Sequence, residues 1–186
     1  MRKIVPRIQR EKQIHHDALE TPLASWKYDL IFEKALIHHI DDLYACFKEA
    51  YRLLQEGGSL IVQDRTPEDC LLEGNSKHIR GYFFSKFPTL IQTEVSRRHS
   101  SHKVIQAIEA IGFRHIEEHS FWETRRVYPK FEGLANDLLN RTGRSILHEL
   151  NDLQLSELIA YIQEQVGNDR QPILEQDRWT IWKAMK

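Results

Sequence analysis

Three short polar clusters hold the side chains of this chain best suited to chemistry: His15-His16-Asp17, His38-His39 and Asp64-Arg65. Imidazole titrates near neutrality, so a histidine in such a cluster can take or give a proton. Asp64 and Arg65 can orient a substrate. The same residue types can also bind zinc or iron. The spacing argues against a metal, because neighbouring histidines on a strand point to opposite faces. There is no HExxH motif and no histidine pair four residues apart on a strong helix. Each cluster alone also reads as an ordinary polar loop. Their shared placement, each just after an apolar run, is the stronger signal.

The elements that would position them can be read from the pattern. Residues 12–16 form a weak strand candidate, ended by Asp17 and the break at Thr21-Pro22. Residues 28–32 form a stronger strand. Asp41 or Asp42 can cap the following helix, with Leu43, Phe47, Ala50 and Leu54 on one face and a stop at Gly57 or Gly58. Residues 59–63 are continuously apolar at Leu60-Ile61-Val62, as in a parallel strand covered on both faces. If the three strands are parallel, Asp17, His38-His39 and Asp64-Arg65 meet at one edge of the sheet, where such sheets bind ligands.

Downstream, residues 65–100 are broken by Pro67, Gly74, Asn75, Gly81 and Pro88 and predict short helices over the sheet rim. Ser100 or Ser101 caps a helix ended by Gly112, and residues 113–121 read as a strand. From about 128 to 167 the pattern is helical, with Asn151 or Asp152 as the cap of the last helix. Residues 178–183 form a closing strand, expected antiparallel beside 113–121. The whole predicts one α/β domain over 1–186, with a helical insertion at 128–167.

Composition sets bounds. The chain has 186 residues, 41% hydrophobic and 28% charged, with a formal net charge of −1. That length supports one core, and that charge gives no electrostatic case for nucleic acid as a partner. Arg97-Arg98 and Arg125-Arg126 read as solvated surface, and residues 141–145 as a turn joining helices, though their two cations could meet an anionic substrate. Trp122, Trp179 and Trp182 read as sheet packing. Two cysteines, Cys46 and Cys70, make no disulfide framework. No secretory signal and no run near the ~18 apolar residues of a membrane span is seen. The expectation is a reduced, cytoplasmic protein acting on a small molecule, with no membrane or metal.

Five segments then resemble, in order and spacing, the middle motifs of class I S-adenosylmethionine-dependent methyltransferases. They are Asp17-Ala18-Leu19-Glu20-Thr21-Pro22, Tyr28-Asp29-Leu30-Ile31-Phe32, Ala35-Leu36-Ile37-His38-His39-Ile40, residues 47–58 ending in Gly57-Gly58, and Leu60-Ile61-Val62-Gln63-Asp64. The resemblance runs from Asp17 to about Phe121, and residues 179–182 look like the family's last strand. It implies a truncated Rossmann-like fold with a mostly parallel sheet and an antiparallel C-terminal strand. It implies S-adenosylmethionine as cofactor, with Asp17, Ala18 and Leu19 at the adenine and Glu33, Lys34 and His38 at the methionine end. It sets His39, Asp64 and Arg65 against the methyl acceptor, with His39 as the base.

The family's glycine-rich first turn is not found. A strand–helix–strand unit takes about 30 residues, and 16 precede Asp17. Two expectations follow. The strand over 28–32 has an open edge that residues 12–16 or a second chain could pair, giving a homodimer. The alternative to an enzyme is a non-catalytic remnant acting as a binding or oligomerising module.

Overall fold

A computed structural model describes residues 16–167 and 172–186. Four strands form one sheet in the order β1-β2-β4-β3: β1 (Tyr28–Lys34), β2 (Leu54–Asp64), β3 (Arg114–Tyr128) and β4 (Ile173–Met185). β1 and β2 are parallel, with Phe32 opposite Ile61 and Lys34 opposite Gln63. β4 lies antiparallel between β2 and β3, so β1, β2 and β3 run one way and the closing strand runs back. This is the α/β arrangement expected from the sequence. The expected strand at 12–16 lies outside the described residues except for His16.

The β1–β2 connection is α1 (Leu43–Leu53), preceded by a 3-10 turn at Ile37–His39. Asp42 caps α1 by accepting from the Ala45 amide at 3.0 Å. This satisfies one of the free N–H groups at the helix start. Leu43, Cys46, Phe47, Ala50 and Leu53 are buried on one face, packed with Leu60 and Val62 of β2 and with Val104 and Ile108 of α5 (Ser101–Ile111). Side chains of that size each contribute about 1.5–3 kcal/mol when fully buried. Ser100 caps α5 and Gly112 ends it at φ 106°, a left-handed conformation that suits glycine.

The glycine pair at 57–58 does not stop α1 as expected. The helix ends at Leu53, with an extended cap residue. Leu54 already pairs with Tyr28, and the ladder then jumps to Leu30 opposite Ser59. Gly57, at φ 76°, turns the intervening excursion. A Cβ on Gly58 would lie 3.1 Å from the Tyr28 carbonyl oxygen and 2.9 Å from that of Gln55. Gly57 is needed for its left-handed turn and Gly58 for close backbone approach within the sheet.

Between β2 and α5 lie the short helices α2 (Pro67–Cys70), α3 (Gly81–Lys86) and α4 (Leu90–Ser96), as the broken sequence predicts. Between β3 and β4 lie α6 (Phe131–Leu139), a 3-10 turn at Ser145–Glu149 and α7 (Asp152–Val166). These helices form a second apolar cluster that includes Phe83, Leu134, Leu138, Leu155, Leu158 and Ile162. β3 runs seven residues past its expected end, because Trp122 to Tyr128 pair with Arg178 to Ile173 of β4. A long partner strand supplies hydrogen bonds that no local apolar alternation announces. Trp182 is buried and Trp179 nearly so, but Trp122 is 45% exposed and does not join the core as expected.

The sheet has unequal faces. Glu33 contacts Cys46 of α1, so Leu30, Phe32 and Lys34 point to the opposite face. Leu30 and Phe32 are 52% and 53% exposed there. Among the described residues, β1 pairs only with β2.

Candidate active site

The parallel ends of β1 and β2 deliver two of the three clusters to one place. Ala35 leaves β1 with φ 52° and donates its N–H to the Gln63 carbonyl at 2.9 Å. That left-handed step costs energy for a residue with a Cβ, and it turns the chain into the 3-10 turn carrying His38 and His39. His38 Nδ1 then meets both oxygens of Asp64, at 3.0 and 2.9 Å. Arg98 bonds the same carboxylate at 3.1 Å, and the Arg65 amide does so at 2.8 Å. His99 Nε2 lies 3.1 Å from the Ile37 carbonyl and 2.8 Å from that of Ile40. Carbonyls only accept, so this nitrogen carries the proton and pins the turn from α5's side.

A cavity of about 380 Å³ opens beyond these strand ends. His38, His39 and Arg65 line it, and Asp64 sits buried behind His38. Burial alone would raise the Asp64 pKa; the bond and charge of His38, the Arg65 amide and Arg98 outweigh it and hold the carboxyl below its usual range. The His39 pKa is pushed down, first by the charge of His38, whose ring centre is 4.0 Å away, then by burial. His39 is thus a neutral, exposed imidazole at neutral pH.

Of the expected cofactor residues, His38 alone lines this cavity. Asp17, Ala18, Leu19, Glu33 and Lys34 do not line the cavity. Asp17 closes a turn by accepting from the Leu19 amide at 2.9 Å. Glu33 is buried against Cys46; burial raises its pKa to about 7, the Cys46 bond only partly opposing. The charges of Glu33, Asp17 and Asp42 all act on the Cys46 thiol after burial, so these carboxylates share one acidic neighbourhood on the α1 side of β1. Lys34 crosses the open face to Glu123 at 2.6 Å. No group of three His, Cys, Asp or Glu suited to a metal occurs among the described residues.

Sequence reasoning missed half of the cavity wall. Arg80, Arg98, Arg125 and Arg144 line it, with Asp177 and Trp179 of β4. Arg98 and Arg125 were expected on the solvated surface. Instead the Arg98 side chain is 5% exposed and bonds Asp64 and Glu94, and Arg125 reaches Glu175 and the Thr142 carbonyl. The turn at 141–145 is a helix-joining turn and also a cavity wall, through Gly143, Arg144 and Ser145. Two signals were available: the paired cations, and the alternation that sets Glu175, Asp177 and Trp179 on one face of β4.

Residues 1–62, a third of the chain, match the family model described as Methyltransferase domain. No curated protein matches. Among solved structures, an Anabaena variabilis protein assigned as a methyltransferase from an antibiotic biosynthesis pathway is 16% identical, with a TM-score of 0.64, covering 90% of this chain and 71% of that one. A Bacillus halodurans protein assigned as a methyltransferase is 18% identical, with a TM-score of 0.50, covering 92% and 69%. For a Haemonchus contortus phosphoethanolamine N-methyltransferase the values are 14% and 0.47, and this chain spans 36% of its length. The likeness to methyltransferases thus covers residues 1–62 in sequence and, in the Anabaena and Bacillus structures, the fold. No helix among the described residues is long and apolar enough to cross a membrane.

Proposed function

We propose that this chain contributes to S-adenosylmethionine-dependent methyl transfer and that the cavity beyond β1 and β2 holds a small-molecule acceptor. The observation that carries this is electrostatic. The same strand ends are flanked by two environments of opposite sign, Asp17 and Asp42 beside the buried Glu33 on the α1 side and the arginine-lined cavity on the other. A sulfonium cofactor suits the first and is repelled by the second. Asp17, Ala18 and Leu19 would hold the adenosine end and Glu33 the methionine end, with His38 at the boundary with the acceptor cavity and Lys34 on the opposite face of β1. When bound, the cofactor supplies an electrophilic methyl group for in-line displacement, a reaction governed by alignment.

The chain's own groups handle the acceptor. Asp64 accepts from His38 and keeps that ring fixed. The charge of His38 and burial push the His39 pKa down, so a ring nitrogen of His39 is free to take a proton from an acceptor hydroxyl or amine. Arg65 faces the same cavity and orients the acceptor.

Calorimetric titration with S-adenosylmethionine and with its demethylated product tests this. Micromolar binding of both is the expected result. Absence of heat at millimolar ligand would remove the reading and leave a binding or oligomerising module.

A further inference from the structure

The cavity's charge is not balanced by the chain. Arg80, Arg98 and Arg144 are each answered: Arg80 by Glu94 at 2.8 Å, Arg98 by Glu94 at 2.9 Å and Asp64 at 3.1 Å, and Arg144 by both oxygens of Glu175 at 2.6 Å. Arg125 shares Glu175 at 3.4 Å. Five guanidiniums thus draw on four carboxylates, Asp64, Glu94, Glu175 and Asp177.

The shortfall falls on Arg65. Its side chain is 12% exposed, and its one ionic partner among the described residues is the Asp177 carboxylate, at 3.4 Å from Nη1. That is a charge contact without a hydrogen bond: Nε and Nη1 are shut off from solvent and have no acceptor. Arg80 Nε is likewise without one. Buried polar groups in folded proteins are nearly always bonded, and an unmet donor on a charged group is costly. The guanidinium is nevertheless held in place, stacked with its centre 4.8 Å from the Trp179 ring. Burial and the nearby Arg80 push the Arg65 pKa down, with Asp177 only partly opposing, which is the mark of an under-neutralised cation. Opposite it, Gly143 lets Arg125 lie close: a Cβ there would come within 3.0 Å of Arg125 Nη2.

We infer that the cavity is an oxyanion site, and that the methyl acceptor carries a carboxylate or phosphate group whose oxygens meet the cavity-facing edge of the under-neutralised Arg65 guanidinium and the charge of Arg125. Arginine suits both anions, since its donors match their oxygens and it stays charged at all working pH. The oxyanion site rests on the charge census alone. Naming its occupant as the acceptor rests on the methyl-transfer reading above.

The full chain is titrated at low ionic strength with inorganic phosphate and, separately, with malonate, following heat and the Arg65 Nε–H resonance. Saturable binding that moves this resonance is expected. Loss of an ionic hydrogen bond predicts about tenfold or more weaker binding in Arg65→Gln. The charge-balanced double variant Arg65→Gln with Asp177→Asn guards against misfolding and should weaken binding as much. Arg97→Gln, which removes a surface cation paired with Glu149, should change nothing. Binding of phosphate alone points to a phosphate ester, and of malonate alone to a carboxylic acid. Folded protein that saturates with neither anion at tens of millimolar, or an equal loss in Arg97→Gln, overturns the site. Anion binding without any binding of S-adenosylmethionine keeps the site and withdraws the acceptor assignment.

Discussion

His38 Nδ1 lies 2.9 and 3.0 Å from the two oxygens of Asp64, and the His38 amide donates to that carboxylate at 3.2 Å. One residue follows β1 and the other ends β2, so the contact spans 26 positions and exists only because the two strands are parallel neighbours. It ties the cavity's histidine turn to the sheet. Asp64→Asn is expected to cost about 3 kcal/mol by stranding His38 and Arg98, read as a lower urea midpoint at pH 7. Because the folded-state pKa of Asp64 is depressed, its stabilisation is present above ~4 and is lost as pH falls through the folded value. The variant should show a shallower acid limb than the parent. Identical midpoints at pH 7 would refute the contact.

Glu33 has the opposite sign. A carboxyl raised to about 7 in the folded state and near 4.3 when unfolded is most stabilising while protonated. The folded chain holds one proton more between those values, so stability falls as pH rises from ~4.3 through 7. The expected loss is about 3 kcal/mol from a shift of that size. Glu33→Gln should flatten the decline, seen in urea midpoints measured from pH 5 to 8. A parent profile with no decline in that window would show that Glu33 is charged throughout.

Glu94 lies beneath two arginines, Arg80 and Arg98, and is fully buried. Burial would raise its pKa, but the two guanidiniums pull it down to about 2. Glu94→Gln is expected to cost about 3–5 kcal/mol. The same change adds uncompensated charge to the cavity. Phosphate should therefore recover part of the lost stability, since a ligand that binds the folded state stabilises it. Equal melting temperatures of the variant in phosphate and in a non-coordinating cationic buffer would contradict this.

His39→Gln should lower the rate of methyl transfer by about 10²–10⁴-fold, the usual contribution of a positioned base. Cofactor affinity should be unchanged. The His39 pKa is pushed below its ordinary value, so the rate should rise with pH along a limb centred below the ordinary imidazole range. A rate still climbing above pH 7 would assign the base elsewhere.

Leu30 and Phe32 are exposed on a strand whose outer edge has no partner among the described residues. We propose that this edge supports a homodimer, because open edges with apolar side chains attract strands. Phe32→Lys should shift sedimentation-equilibrium profiles toward monomer. A parent chain that is monomeric at high micromolar concentration would dispose of the idea.

Much of the architecture was legible in the chain because its signals are local. Asp42, Ser100 and Asn151 mark helix starts, each accepting an amide three residues on. Val104 and Ile108 give α5 its buried face, and Leu60 and Val62 give β2 its own. The rim bearing His38, Asp64 and Arg65 followed from two apolar runs and one helix, since such a unit forces its strands to run the same way.

The far wall of the cavity obeyed no local rule. Arg80, Arg125, Arg144 and Asp177 come from four separate segments, and β4 returns antiparallel only after the helices between it and β3. Sequence alone placed His38, His39, Asp64 and Arg65 at the strand ends, where period and caps determine the backbone. Tertiary structure alone decided which arginines left solvent and which of them went unanswered, because charge balance in a cavity depends on distances between residues far apart in the chain.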